Sequence, residues 1–163
     1  MSNFEGGTDV TMMLHCNKKI KHQSKYTQMC SLLDIVPTIL DAVESPSLSN
    51  KYDGVSLLPF LDSNIDKPHN ELFWKTGYVK SIISGNFKLH INEKENFKFL
   101  INLTDDPGER NNLISKYPEK AEELTLKWNN WNKGLQQPKW DSNADVKIPV
   151  DNSENSKRYY FPW

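Results

Sequence analysis

Residues 80–113 constrain the fold more than any other stretch, because they combine strand-like runs with two strong turn signals. Gly85-Asn86 suits the positive-φ positions of a tight turn, and Phe87-Lys88-Leu89-His90-Ile91 after it alternates apolar and polar residues. This pattern predicts a β-hairpin with one buried face. Asp105-Asp106-Pro107-Gly108 predicts the turn that ends the sheet, since proline presets φ and the aspartates can accept hydrogen bonds from nearby backbone.

The flanking residues extend this sheet and add a helix. Glu71-Leu72-Phe73-Trp74-Lys75 is a further strand, so we expect residues 71–104 to form an antiparallel sheet of about four short strands. Pro118 suits the first position of a helix, and Gly134 suits the residue just past its last turn. The helix carries one apolar stripe, which indicates packing on the hairpin, with a sugar-stacking platform as the alternative. The stripe consists of Ala121, Leu124, Trp128, Trp131 and Leu135.

The first 45 residues contain two apolar segments for which this sequence offers no evident partner. Residues 10–16 lack alternation and predict a short strand that is covered on both faces. Residues 34–43 predict a helix with Asp34 as its N-cap, because Pro37 is tolerated only in the first turn. A catalytic role is the minor alternative for Asp34. One face of the helix carries Val36, Ile39, Leu40 and Val43.

Charge and composition argue against several classes of function. The 163 residues include 20 basic and 21 acidic side chains with a net charge of -1, so we expect neither nucleic acid nor a membrane surface as a partner. Cys16 and Cys30 are too few for a disulfide framework and form either one bridge or two buried thiols. The four histidines lack metal-ligand spacing, and turn chemistry explains Asp105, Asp106 and Glu109 better than a calcium loop.

Six segments, in this order along the chain, resemble the C-terminal part of type I sulfatases of the alkaline phosphatase superfamily. They span about residues 5–135, and the last is an Asp-Pro-x-Glu-x-x-Asn-Leu pattern before a tryptophan-containing helix. The resemblance rests on the combination of all six segments in register. The segments are Glu5-Gly6-Gly7-Thr8, Ser31-Leu-Leu-Asp-Ile-Val-Pro-Thr-Ile-Leu40, Asp53-Gly-Val-Ser-Leu-Leu-Pro59, Glu71-Leu-Phe-Trp74, Gly85-Asn-Phe-Lys-Leu89 and Leu103-Thr-Asp-Asp-Pro-Gly-Glu-Arg-Asn-Asn-Leu113.

The resemblance implies an α+β chain. A small antiparallel sheet of about four strands would pack against a C-terminal helix, after a strand and a helix that belong to an alkaline-phosphatase-like α/β domain. We predict that residues 1–66 are the incomplete tail end of the catalytic domain. Residues 67–135 would form the sheet-and-helix subdomain, and residues 136–163 an extended tail whose aromatic end docks back on the domain.

The implied function is that of a C-terminal fragment of a sulfuric ester hydrolase. The fragment would brace the catalytic domain and shape the rim of the substrate cleft. Two alternatives stay open at this point. One is a stand-alone glycan- or protein-binding module that uses the aromatic helix and tail, and the other is a fragment of a related phosphate or phosphonate ester hydrolase.

The resemblance also implies that the catalytic parts lie outside this sequence. Family members oxidise the cysteine of a Cys-x-Pro-x-Arg motif to formylglycine and hold a calcium ion with aspartate and amide side chains. Cys16 and Cys30 lack both the proline two residues on and the arginine four residues on, so neither can become formylglycine. We therefore predict no catalytic, cofactor-binding or metal-binding residue here, and expect calcium and formylglycine only in a complete family member.

The expected partners follow from the same resemblance. The first is the missing N-terminal catalytic domain, and the ligands expected at the cleft rim are sulfated glycans or aryl sulfates. Self-association of the isolated chain is a further expectation, because the apolar segments of residues 1–45 have no evident partner. The family occurs in periplasmic, extracellular and lysosomal compartments, and no targeting segment in this sequence selects one.

Overall fold

The computed structural model describes residues 3–20, 25–45, 52–61, 67–136, 139, 145–149 and 158–162. Its backbone divides into two compact units. One unit comprises Met1–Val10 together with Phe73–Trp163, and the other comprises Thr11–Leu72. The predicted division into residues 1–66, 67–135 and 136–163 stays a prediction. The two units show which residues pack together, not to which domain of a larger protein each segment belongs.

A four-stranded sheet forms the centre of the first unit and confirms the predicted α+β class. Its strand order is β1-β2-β3-β4, and both the β2–β3 pair and the β3–β4 pair are antiparallel. Ile82 pairs with Leu89, and Gly85 in the turn adopts a positive φ of 59°, as the hairpin pattern predicts. The strands are β1 (Glu71–Thr76), β2 (Val79–Ser84), β3 (Phe87–Asn92) and β4 (Phe97–Asn102).

The predicted C-terminal helix packs on this sheet. Ala121, Leu124 and Trp128 of its apolar stripe are buried in the core, Trp131 packs against it, and Leu135 lies beyond the end of the helix and is exposed. This helix, α4, runs from Pro118 to Asn132 and has proline at its start. Trp128 is fully buried, and its Nε1 donates to the carbonyl oxygen of Trp74 at 3.1 Å. Trp131 stacks on Phe73 with ring centroids 4.9 Å apart. The core cluster consists of Ile82, Leu89, Ile91, Leu100, Ala121, Leu124 and Trp128.

The hairpin is buried on both faces, which corrects the prediction of one buried face. The polar side of β3 is also inaccessible, because the N-terminal segment covers it. Phe4 lies with its ring 4.2 Å from the ring of His90, and helix α1, Glu5–Thr8, follows directly. Lys88 binds Glu5, which lies 83 positions away in sequence. The alternating pattern alone therefore could not reveal that the N-terminal segment covers this face. The buried polar residues of β3 are Lys88, His90 and Asn92.

The acidic turn after β4 forms as predicted. One carboxylate oxygen of Asp106 accepts hydrogen bonds from the backbone N–H groups of Arg110 and Asn111, at 2.8 and 2.7 Å. The side-chain oxygen of Asn112 then accepts from the backbone N–H of Leu100, at 3.0 Å. These bonds hold the turn against the edge of β4 and direct the chain towards α4.

The second unit is built around one helix, and two predictions for it need correction. Within described residues 11–70 there is no strand, so the strand predicted for residues 10–16 is wrong; a run that needs a neighbour on both sides finds none in the described part of its unit. Helix α2, Ile35–Ala42, follows a 3-10 turn at Leu32–Asp34. Ser31 caps that turn through its side chain, whereas the side chain of Asp34 does not cap α2. A short helix α3 follows at Leu58–Leu61.

The C-terminal tail contains a small two-stranded ribbon. Strands β5, Asp145–Pro149, and β6, Arg158–Pro162, pair antiparallel, with Lys147 opposite Tyr160. The predicted docking of the aromatic end falls on side chains outside the described residues. No helix in the described part of the chain is long and apolar enough to cross a membrane.

Candidate functional site

The polar face of β3 is the most chemically specialised part of the first unit. Lys88, His90 and Asn92 alternate along the strand, so their side chains share one face of the sheet. All three are fully buried. A buried lysine is stable in its charged form only beside compensating groups, so the site depends on what surrounds Lys88.

Two carboxylates from distant parts of the chain surround the Lys88 ammonium group. Nζ of Lys88 lies 2.6 Å from Oε1 of Glu5 and 3.1 Å from Oε1 of Glu109. It also donates to the hydroxyl oxygen of Thr8, at 3.3 Å. Glu5 and Thr8 belong to α1, whereas Glu109 follows the acidic turn, so one buried cation joins the N-terminal segment, the sheet and the turn.

His90 extends this cluster by one hydrogen-bonded link on each side. Its Nε2 donates to Oε1 of Glu109 at 3.1 Å, and its Nδ1 accepts from the hydroxyl group of Ser81 at 2.7 Å. Burial, assisted by the charge of Lys88, lowers the pKa of His90 from 6.5 to about 4, although the hydrogen bond to Glu109 acts in the opposite direction. His90 is therefore neutral at pH 7 and carries its proton on Nε2.

Glu109 accepts from three groups at once, and sequence reasoning missed this role. Its Oε2 accepts from the backbone N–H of Glu5 at 2.5 Å, while Oε1 contacts His90 and Lys88. Burial acts to raise the pKa of Glu109, but the hydrogen bond from His90 and the charge of Lys88 outweigh it, so the pKa lies below its ordinary value. Turn chemistry accounts for Asp106 but not for Glu109, which has a positive φ of 53° and is buried.

The cluster can hold segments together, but it cannot perform the chemistry its side chains suggest. Ser81, His90 and Glu109 form a hydroxyl–imidazole–carboxylate chain, as in nucleophilic hydrolases. Ser81 is only 1% exposed, and the ring of Phe4 covers His90, so no substrate reaches the hydroxyl group. We assign the cluster a structural role.

The residues present do not fit calcium or formylglycine. The carboxylates of Glu5 and Glu109 are compensated by Lys88, and no group of three or more His, Cys, Asp or Glu side chains in the described part of the chain could hold a metal ion. Cys16 and Cys30 are free thiols of intermediate exposure, in sequences without the required proline and arginine. Burial raises the pKa of the Cys30 thiol, which makes it less reactive.

A second buried polar centre lies in the other unit, at Asp34. Its carboxylate accepts from the backbone N–H groups of Ser31 and Val55, at 2.7 and 2.9 Å. Nε2 of His69 lies 2.8 Å from its Oδ2. Asp34 is fully buried and its oxygens are all engaged, so it orders the loops of its unit, and the catalytic alternative has no structural support. Of the other histidines, His15 is exposed, and His22 lies outside the described residues.

Comparisons with known proteins identify the class of this chain. No protein-family model matches it. It is 28% identical to arylsulfatase K of Gallus gallus over an alignment of 139 positions. It is 30% identical to a sulfatase of Formosa agariphila over an alignment of 183 positions. These matches cover 76% and 96% of this chain, but 26% and 33% of the relatives. The chain thus spans about a quarter to a third of the length of the curated relatives it matches.

Solved structures share its fold. A putative sulfatase from Bacteroides thetaiotaomicron is 25% identical with a TM-score of 0.53, and the match covers 62% of this chain and 24% of that one. The protein Ps i-CgsB is 20% identical with a TM-score of 0.59, and the match covers 71% of this chain and 27% of that one. The fold is thus the α+β arrangement found in sulfatases of the alkaline-phosphatase-like class. The chain is sulfatase-like, and it is similar to the C-terminal part of sulfatases.

Proposed function

We propose that this chain is the C-terminal portion of a sulfatase-like sulfuric ester hydrolase, that it braces the catalytic part and shapes the rim of the substrate cleft, and that it is inert alone. One observation carries the proposal. Buried Lys88 joins Glu5, which the resemblance assigns to the catalytic part, to Glu109, which it assigns to the C-terminal subdomain. The similarity to sulfatases supplies the reaction class.

The bracing role follows from the energetics of a buried ion cluster. Removing one partner from such a cluster leaves an uncompensated buried charge, which costs about 3–5 kcal/mol. The ion pair with Lys88 therefore holds the Glu5 segment on the sheet. The formylglycine and calcium of a complete family member would lie in the part of the polypeptide that precedes this chain, and the brace would fix the segment that leads from that part.

A chimera tests this role. The matched segment of the Formosa agariphila sulfatase is replaced by this chain, and hydrolysis of an aryl sulfate is measured together with thermal unfolding. We expect an active chimera in which Lys88→Met lowers stability by about 3 kcal/mol and reduces the active fraction. The matched control is Lys98→Met on β4, an exposed lysine whose loss costs less than about 0.5 kcal/mol. Equal effects of the two substitutions would refute the bracing role.

For the cleft rim we propose a sulfated glycan as the ligand class. The descriptions of two structural neighbours support this choice. One is a 2-O GAG sulfatase, and the other is Ps i-CgsB in complex with k-i-k-neocarrahexaose. Because Trp128 is fully buried, the stripe of α4 does not support the sugar-stacking platform of the binding-module alternative. A tryptophan emission shift on addition of a sulfated glycan to the isolated chain would revive that alternative, and unchanged blue emission favours packing.

A further inference from the structure

Two buried side-chain amide groups, those of Asn3 and Asn92, have no hydrogen-bond acceptor within the described residues. Asn3 is 3% exposed, and Asn92 is fully buried. Nδ2 of each side chain is shielded from solvent and unpaired in the part of the chain that the structure describes. A buried N–H group without an acceptor lowers the stability of the folded state, so in folded proteins such groups bind either protein or an internal water molecule.

The oxygen of each amide is already engaged. Oδ1 of Asn3 accepts from the hydroxyl group of Thr76 at 3.2 Å, and Oδ1 of Asn92 accepts from the backbone N–H of Glu95 at 3.2 Å. Exchanging oxygen and nitrogen in the amide of Asn92 would set its Nδ2 against the N–H of Glu95, which places two donors face to face. Each side chain therefore offers its amide N–H groups to a further acceptor.

Both amides lie at the same end of the four-stranded sheet. Thr76, which bonds to Asn3, ends β1, and Asn92 ends β3 directly opposite Val79, the first residue of β2. Phe4, the residue after Asn3, packs against Val79. Asn3 and Asn92 thus flank one contact, that of Phe4 with Val79, at which the N-terminal segment meets the sheet.

The surroundings restrict the ligand of this site to a small neutral acceptor. A metal cation needs oxygen ligands, whereas the unpaired atoms here are N–H donors. An anion is unfavourable, because the carboxylates of Glu5 and Glu109 share this face of the sheet with one compensating ammonium group, that of Lys88. Shielding of both Nδ2 atoms from solvent excludes a large ligand. Water meets all three conditions, and two polar partners are enough to hold it.

We propose that Asn3 and Asn92 bind one internal water molecule, whose oxygen accepts from both Nδ2 groups. The water gives the N-terminal segment a second attachment to the sheet, beside the ion pair between Lys88 and Glu5. The site goes beyond the proposed function and does not depend on it, because both amides belong to this chain and to the same compact unit.

Water-selective NOE spectroscopy of the ¹⁵N-labelled 163-residue chain tests the site directly. We expect the side-chain amide signals of Asn3 and Asn92 to show cross-peaks to a long-lived water, with rotating-frame spectra separating this contact from proton exchange. The matched control is the indole N–H of Trp128, which is equally buried but donates to the carbonyl oxygen of Trp74 at 3.1 Å. It should show no cross-peak. Absence of the cross-peak at either asparagine overturns the proposal.

A double-mutant cycle tests whether the two amides share one water. Asn3→Ala and Asn92→Ala are made singly and together, and Tm is measured for each. Because either substitution alone already disrupts a shared water, the double variant should lose clearly less Tm than the sum of the two single losses. Asn3→Ala with Asn112→Ala is the control pair and should be additive, since Asn112 bonds to Leu100 at the edge of β4. Additive losses in both pairs would overturn the shared water.

Discussion

At the scale of single residues, the buried charged side chains contact partners that lie far away in the sequence. Lys88 and Glu5 are separated by 83 positions, and the backbone N–H of Glu5 and the Glu109 carboxylate by 104. Such contacts stabilise the folded state only as long as each partner keeps its charge and its hydrogen bonds. The protonation of His90, which lies between Ser81 and Glu109, therefore links the stability of the first unit to pH.

We predict that acid destabilises the chain below the ordinary pKa of histidine. The folded pKa of His90 is about 4 against 6.5 in the unfolded chain, so the unfolded state binds the proton more tightly. The stability that neutral His90 contributes is fully present above pH 6.5 and is lost as pH falls towards 4. Between pH 7.5 and pH 5 the free energy of unfolding falls by about 2 kcal/mol. Glu109, whose pKa is also lowered, adds a loss in the same direction at more acidic pH.

Urea unfolding at several pH values measures this dependence. His90→Gln removes the titrating ring but keeps a polar side chain, so the variant should be less stable at pH 7.5 and should show a flatter slope between pH 7.5 and pH 5. A slope that is the same in the wild type and the variant would mean that another group titrates in this range.

At the scale of elements, the first unit depends on the contact between α4 and the sheet. Leu124 of α4 is fully buried in the core, whereas Leu126 of the same helix is 58% exposed. We predict that Leu124→Ala destabilises the chain by about 2–5 kcal/mol, because it removes buried methyl groups and leaves a cavity. Leu126→Ala is the matched control and should cost less than about 0.5 kcal/mol. Thermal unfolding by circular dichroism compares the two variants. Similar losses of stability would mean that Leu124 does not lie in the core.

The second unit depends on the close approach of Gly54 to the turn before α2. An added Cβ at Gly54 would lie 2.1 Å from the carbonyl oxygen of Leu33, whereas nothing lies within 4 Å of one at Gly6. Gly54→Ala should therefore displace the loop that binds Asp34 and cost about 2 kcal/mol or more, while Gly6→Ala should not. Amide exchange of residues 31–42 measures the local effect. Full protection in Gly54→Ala would contradict the observed packing.

The accuracy of sequence prediction differs between these elements for a physical reason. Gly85, Pro118 and the stripe of α4 are local signals, and the structure confirms the turn and the helix they predict. The role of Glu109 and the cover over His90 depend on Phe4 and Glu5, far away in the chain, so no local pattern encodes them. The strand predicted for residues 10–16 failed because a strand needs a neighbour, which local sequence does not specify.

At the scale of the whole molecule, the proposed bracing role rests on the ion cluster of the first unit and on the similarity to sulfatases. The first unit has a buried ion cluster that holds the Glu5 segment on the sheet, and the second leaves Val36 and Ile39 of α2 47% and 56% exposed. The curated relatives are sulfatases of which this chain spans about a quarter to a third. The bracing role and the position of the catalytic groups outside these residues are the proposals that the measurement below tests.

The most direct measurement is an aryl sulfate hydrolysis assay on the isolated 163-residue chain in the presence of calcium, beside a heat-denatured control. The chain has no cysteine in a formylglycine motif, so the account predicts no turnover above the control. Turnover that exceeds the control and is abolished by unfolding the chain would contradict the account, because it would require a catalytic centre within these residues.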